Sequence, residues 1–385
     1  MTRATFAILG SALALAACSD VQDPTGARPS PTSSVRSAAP GSAVPGSYIV
    51  VLNEGADPRS VAAVAQVDPQ YVYTAAINGF AAELNAGQLN ALQHNPNVEY
   101  IEEDAVVQSA TTQSGATWGI DRIDQRALPL SGTYNYTTTA STVYAYVIDT
   151  GIQTSHAQFG GRAAVSYDAL GGNGQDCNGH GTHVAGTIGS ATYGVAKSVR
   201  LRAVRVLNCQ GSGTNSGVIA GIDWVRVNHA SPAVANMSLG GGYSSAENTA
   251  VTNLVNSGVF LAVAAGNENQ NACNVSPASA PAVTTVAASD RTDTRASFSN
   301  YGSCVDIYAP GVNITSTWLS GGTNTISGTS MASPHVAGVA ALYKATYGNA
   351  SQSTINSWLV NNSTANVIKS NPSGTVNRLL YKSTL

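Results

Sequence analysis

The chain has 385 residues, room for one large domain and a smaller one. Hydrophobic residues make up 43% and charged residues only 10%, against roughly 25% in ordinary soluble proteins, so the core is ample and the surface polar but uncharged. A net charge of −3 provides no basic footprint, which excludes nucleic acid as an expected partner.

Residues 1–18 have a basic start at Arg3, an apolar run from Ala4 to Ala17 and small residues at the end. This is the pattern of a secretory signal peptide, too short for a membrane span. Leu15-Ala16-Ala17-Cys18 also has the form of a lipoprotein cleavage site, with lipid on Cys18. An ordinary cleavage site with an incidental cysteine is the other reading, and both stand. Residues 19–46 are rich in Pro, Ser, Thr and Gly without apolar period, and are expected to be a disordered linker.

Residues 47–109 read as a small domain. Strands are expected at Tyr48–Leu52, Tyr71–Tyr73, Phe80–Leu84 and Val98–Glu102, with helices at Pro58–Gln66 and Ala86–His94. The order βαββαβ gives a small open α+β sheet with two helices on one side. A polar, unpatterned stretch at Gln108–Ser114 then offers a natural cleavage point.

Residues 110–385 change pattern again. Apolar strands are expected at Tyr144–Ile148, Arg200–Leu207, Val234–Leu239, Val259–Ala264, Val283–Ala287 and Val305–Tyr308. Helices fall between several of them, notably at Gly217–Asn228 and Ala246–Asn256, and a last helix and strand lie near Gln352–Val360 and Leu379–Tyr381. Buried strands alternating with helices predict an α/β fold, a mostly parallel sheet with helices on both faces.

Three motifs stand at the edges of these elements. Asp149-Thr150-Gly151 follows an apolar strand, and Gly179-His180-Gly181-Thr182-His183 begins a small-residue helix. Gly328-Thr329-Ser330-Met331-Ala332-Ser333-Pro334-His335 begins another, whose buried face is expected at Ala332, Val336, Val339 and Tyr343. Pro334 is expected near that helix's start, where an N–H is not needed. Serine is a weak nucleophile unless a histidine takes its proton and a carboxylate orients that histidine. His180 is favoured as the base because glycines on both sides leave room for a substrate. His183, His156 and His335 are expected to be structural.

The order Asp, His, Ser with these flanks resembles the subtilisin-like serine proteases, within them the proteinase K branch and its aqualysin-type members. The resemblance implies a triad of Asp149, His180 and Ser330, with an oxyanion hole of the Asn267 side chain and the Ser330 backbone N–H. It implies substrate binding by Gly211, Ser212, Gly213, Ser238, Leu239 and Gly240, and an uncharged primary pocket that includes Ala264, Ala265 and Gly266. Broad endopeptidase activity on protein and peptide substrates follows, favouring apolar or aromatic residues before the cut. Residues 47–109 resemble the inhibitory propeptide of such enzymes, whose last segment lies in the substrate cleft and which acts as an intramolecular inhibitor. A secreted, autoprocessing monomer is expected. The alternative class is a catalytically inactive subtilase fold used for binding, which loss of a triad residue or of Asn267 would signal.

Cys177, Cys209, Cys273 and Cys304 allow three disulfide pairings, and no Cys-x-x-Cys spacing suggests metal. The resemblance implies Cys177–Cys209 and Cys273–Cys304. It also implies structural calcium, at a loop comprising Asp121, Asp124, Gln125, Ser131 and Thr133, and at the carbonyls of Pro281 and Val283 with Asp306. The loop at residues 171–176 holds only Asp176 as an acid and is not expected to bind metal.

Overall fold

The computed structural model describes residues 32–38, 43–106 and 110–385. The expected signal peptide, Cys18 and most of the expected linker lie outside these residues. The chain divides into two units, one holding residues 32–38 and Ala43–Ala105, the other running from Val106 to Leu385.

The first unit contains β1 (Ser34–Arg36), β2 (Ala43–Leu52), α1 (Pro58–Val64), β3 (Tyr71–Tyr73), β4 (Gly79–Glu83), α2 (Ala86–Gln93) and β5 (Val98–Ala105). Its sheet has the order β1-β5-β2-β4-β3, and β2 pairs antiparallel with both β4 and β5. Asp57 caps α1 by accepting from Ser60 N–H, with Pro58 at the first turn; Asn85 and Gln88 form a reciprocal capping box on α2. Val61, Ala62 and Leu92 from the helices join Val50, Phe80 and Ile101 from the strands in one cluster.

Two pieces of the expected linker are ordered. β1 pairs parallel with β5, and β2 begins at Ala43. All three β1 side chains are exposed; backbone pairing and the Arg36 guanidinium, 3.5 Å over the Tyr100 ring of β5, hold it, and no apolar pattern announces it.

The second unit opens with β6 (Thr111–Ser114), α3 (Trp118–Ile123) and β7 (Thr133–Tyr136), and β6 pairs antiparallel with β7. The expected unpatterned junction is therefore partly a strand of this unit. There follow β8 (Tyr144–Asp149), β9 (Ala164–Asp168), α4 (His180–Gly189), β10 (Arg200–Arg205), α5 (Asn215–Asn228), β11 (Ala233–Met237), β12 (Gly241–Gly242), α6 (Ser245–Asn256) and β13 (Phe260–Ala264). The remainder is β14 (Val275–Ser276), β15 (Thr284–Ser289), β16 (Ile307–Pro310), β17 (Ile314–Thr317), β18 (Thr323–Ile326), α7 (Thr329–Tyr347), α8 (Gln352–Asn362), β19 (Thr364–Ala365) and β20 (Arg378–Leu379).

The main sheet has the order β19-β20-β16-β15-β13-β11-β8-β10-β9, parallel except between β19 and β20. Residues pointing alternately from β8 feed two clusters. Ala145 and Val147 meet α4 and α7 residues, whereas Tyr146 and Ile148 meet Val218, Ile222 and Val225 of α5 and Leu254 of α6. This explains the unbroken apolar runs, since a strand buried on both faces needs no polar alternation.

α7 is buried on every side over most of its length, from Met331 to Lys344. A single apolar stripe underdescribes it: Ala, Gly, Ser and Val keep it thin enough to pass through the centre of the unit. Pro334 is its sixth residue, deeper than a first-turn proline.

Candidate active site

In an open parallel sheet, the crevice beyond the carboxyl ends of the strands is where chemistry collects. Here Asp149 ends β8, Ser238 follows β11, and Ala265-Gly266-Asn267 follows β13. These three strands are neighbours in the sheet. His180 is the first residue of α4 and Ser330 the second of α7, and the two helices pack against each other.

His180 Nδ1–H donates to Asp149 Oδ1 at 2.7 Å. Asp149 is completely buried and also accepts from Thr150 N–H at 2.7 Å. Burial alone would lower the His180 pKa, and it is the largest single influence. The charge and hydrogen bond of Asp149, with the charge of Asp176, together outweigh it and raise the pKa above its ordinary 6.5.

Asp176 anchors the turn before α4. Its Oδ1 accepts from Thr150 Oγ1, Asn178 N–H and Gly179 N–H, and its Oδ2 from Thr182 N–H and Oγ1. The glycines beside His180 serve packing rather than substrate approach. A Cβ on Gly181 would lie 2.2 Å from Gly151 O, and one on Gly179 (φ +107°) 2.4 Å from the Trp318 ring.

His183 and His335 are structural, as expected. Their ring N–H groups donate to Ile314 O at 2.9 Å and to Met331 O at 2.8 Å, and burial pushes both pKa values down to about 4. His156 bridges Gly322 O and Gln158 N–H.

Pro334 has no N–H, so the Ser330 carbonyl lacks its helical donor. Ser238 Oγ–H takes that role at 2.7 Å, while Ser330 Oγ–H donates to Ser238 O at 3.1 Å. Asn236 supports the exchange, donating to Ser238 Oγ at 2.8 Å and accepting from Ser333 Oγ at 2.7 Å. A chain of small polar residues thus fixes the backbone under Ser330.

Asn267 Oδ1 accepts from both Thr329 N–H at 2.8 Å and Thr329 Oγ1 at 3.0 Å. Two donors at one end identify that end as oxygen and leave the NH₂ group for the cleft. Thr329 Oγ1 also accepts from Gly266 N–H at 3.1 Å, locking the turn after β13 to the start of α7. Sequence reasoning missed Thr150, Asn236, Thr329 and Ser333, whose partners are distant in the chain, and Asp176, whose bonds within its own turn follow no sequence pattern.

The site opens into two cavities that share the Leu239-Gly240-Gly241 wall. One, of about 360 Å³, is lined by Ala264, Gly266, Asn267, Glu268, Thr329 and Ser330. Its expected uncharged character is corrected by Glu268, an exposed acid whose Oε2 accepts from Asn300 Nδ2 at 2.8 Å. Ala265 is fully buried beneath this cavity rather than on its wall. The other, of about 500 Å³, is lined by His180, Gly211, Ser212, Gly213 and Ser238.

Cys177 bonds to Cys209 and Cys273 to Cys304, the pairing the resemblance implied. The first bridge ties the turn before α4 to the segment leading into Gly211–Gly213.

Among the described residues no group of three or more His, Cys, Asp or Glu side chains gathers as a metal site, so a cation here needs carbonyl, amide and hydroxyl oxygens. The α3–β7 loop offers them. Asp121 faces Ser131 and Gly132, Ser131 Oγ lies 2.8 Å from Thr133 Oγ1, and the Gln125 amide meets the Ala127 and Pro129 carbonyls and Ser131 N–H. The carboxylate, hydroxyl, amide and carbonyl oxygens of this loop are of the kind that suits a hard cation, which would take over contacts now made by N–H groups. Asp124 Oδ2 accepts from Asn135 N–H and Nδ2, as the Asp121 oxygens accept from Ser131 and Gly132. Pro281 and Val283 line a cavity of about 470 Å³ with Asn356. Asp306 bonds Thr285 N–H at 2.8 Å, and burial raises its pKa against the pull of Thr285 and Asn356.

A parallel sheet whose carboxyl edge gathers a serine, a carboxylate-held histidine and a free amide is the framework of a serine hydrolase. Comparison with known proteins agrees. Residues 141–379 match the subtilase family, and residues 47–110 match the peptidase inhibitor I9 family. An extracellular serine proteinase of Thermus sp. is 53% identical over 368 residues, spanning 88% of this chain and 90% of that protein. Proteinase R of Parengyodontium album is 47% identical over 354 residues, 89% of this chain and 90% of that protein. A crystal structure of a cold adapted subtilisin-like serine proteinase aligns with TM-score 0.69 and 53% identity, over 70% of this chain and 99% of that one. The chain belongs to the subtilase family: it is a serine endopeptidase with an inhibitor domain ahead of its catalytic domain.

Proposed function

We propose that Ser330, His180 and Asp149 carry the hydrolysis, in an enzyme exported as a precursor that removes its own inhibitor domain. The Asp149–His180 contact of 2.7 Å is the observation on which this rests, because it fixes the Nδ1–H tautomer and leaves Nε2 as the base. Ser330 Oγ attacks the scissile carbonyl carbon as its proton passes to His180 Nε2. The tetrahedral oxyanion is met by Asn267 Nδ2 and Ser330 N–H. In comparable acyl-transfer sites one such side-chain donor is worth about 10²–10³ in kcat. His180 then returns the proton to the leaving amine, the acyl-enzyme forms on Ser330, and a water repeats the sequence to release the acid.

Gly211–Gly213 and Ser238–Gly240 hold the substrate as an added strand between them. The 360 Å³ cavity takes the side chain before the cut and favours apolar or aromatic residues. Two disulfides and extracellular relatives support export. Calcium is read as a structural ligand of the α3–β7 loop, through Asp121, Gln125, Ser131 and Thr133, with Asp306 and the carbonyls of Pro281 and Val283 as a second set; it supplies cross-linking of loops and no step of the reaction. None of the four catalytic positions is substituted, which leaves the inactive binding-protein reading without support.

The test is covalent labelling with a sulfonyl fluoride followed by peptide mapping. One adduct on Ser330, absent from His180→Ala, is expected along with loss of peptidase activity. Labelling elsewhere, or full inhibition without a Ser330 adduct, would overturn the assignment.

A further inference from the structure

The larger cavity contains a group that the reaction does not use. Glu247, in the first turn of α6, lies on its wall with Leu207, Val218 and Leu239. The residue is only 2% exposed, and Oε1 is shut from solvent with no hydrogen-bond partner. Among the described residues no ion pair reaches this carboxylate.

Helix capping does not explain it. Ser244-Ser245-Ala246-Glu247 has the spelling of a capping box, in which the Glu side chain accepts from the N-cap N–H. Half the box forms, since Ser244 Oγ accepts from Glu247 N–H at 3.2 Å. The reciprocal half does not, because Ser244 N–H donates to Ser276 Oγ at 2.9 Å. Burial with no compensating charge pushes the Glu247 carboxyl up to about 7. A buried acid without a partner is costly unless something arrives to pair with it.

We infer that Glu247 makes this cavity a subsite for a cationic substrate side chain, lysine or arginine, upstream of the cut. Alternate side chains of an extended peptide face opposite sides. With the residue before the cut in the smaller cavity, the second and fourth residues before it face the larger one. Leu207, Val218 and Leu239 suit the methylene stem of Lys or Arg, and Glu247 accepts from its charged head. The inference rests on the endopeptidase reading and on the two glycine-containing segments holding the substrate.

The experiment compares kcat/KM for peptides identical except for lysine, arginine, leucine or norleucine at the second or fourth position before the cut. Parent enzyme, Glu247→Gln and Glu247→Leu are each assayed, and the lysine-to-norleucine ratio is taken within each enzyme, so differences in active fraction cancel. The parent is expected to favour lysine at one of the two positions by about tenfold or more, mainly through KM, as one desolvated charged hydrogen bond allows. Glu247→Gln should bring the ratio near one and Glu247→Leu should reverse it. A parent that favours norleucine at both positions overturns the inference, as does a ratio unchanged in Glu247→Gln, which keeps the shape of the side chain if the leucine variant fails to fold. A parent that cleaves none of the peptides contradicts the endopeptidase reading instead.

Discussion

His180 shows how single residues are tuned here. Burial opposes its protonated form, and two buried carboxylates reverse that effect, so the ring is held by Asp149 yet still protonates within an ordinary pH range. The base is active only when neutral, so kcat/KM should fall as pH drops through a pKa above 6.5. Asp149→Asn removes the largest of the raising influences and leaves burial, which lowers. Its acid limb should therefore move to lower pH, while the plateau rate falls by about 10⁴. A pH–rate profile of both enzymes checks this, and a limb that stays in place would contradict the assigned pairing. Asp149, His180, Ser330 and Asn267 were legible in the sequence because each sits in a dense local motif. Asp176 and Thr329 were not, since an acid or a threonine near a turn says nothing until its five or three hydrogen bonds are known.

Among the elements, the apolar strands β8 and β13 and the helix α6 were readable to within one residue at each end. Two short ones were not: β1 and β6 are largely exposed strands that bury no apolar face, and their sequences look like linker. The placement of Pro334 was also hidden. Its tolerance deep in α7 depends on Ser238 supplying the hydrogen bond that the proline cannot. Loops matter in the same way. A cation held by the α3–β7 loop binds only the folded state, and a hundredfold excess over Kd stabilises it by about 2.7 kcal/mol. EDTA should therefore leave the initial rate nearly intact and shorten the half-life of activity at elevated temperature, more steeply at higher enzyme concentration because opened loops are digested. An unchanged half-life would refute the calcium reading, and immediate loss of rate would point to a metal in the chemistry.

At the scale of the whole chain, a segment matching the inhibitor family precedes the catalytic unit, the order that the proposed self-maturation requires. The division into two units and the match of residues 47–110 to an inhibitor family accord with that order. Since Thr111–Ser114 pairs within the catalytic unit, the cut that frees it belongs before Thr111 rather than anywhere across Gln108–Ser114. Each disulfide closes a loop of 32 or 31 residues within the catalytic unit, worth roughly 3–4 kcal/mol in the chain-entropy description, and survives the cut. The most direct test of the account is the intact mass of parent and Ser330→Ala proteins expressed in a host lacking other proteases. The parent should appear as a catalytic unit beginning at or just before Thr111, with four cysteines oxidised. Ser330→Ala should retain the inhibitor domain; its efficient conversion to the same product would contradict a serine enzyme that processes itself.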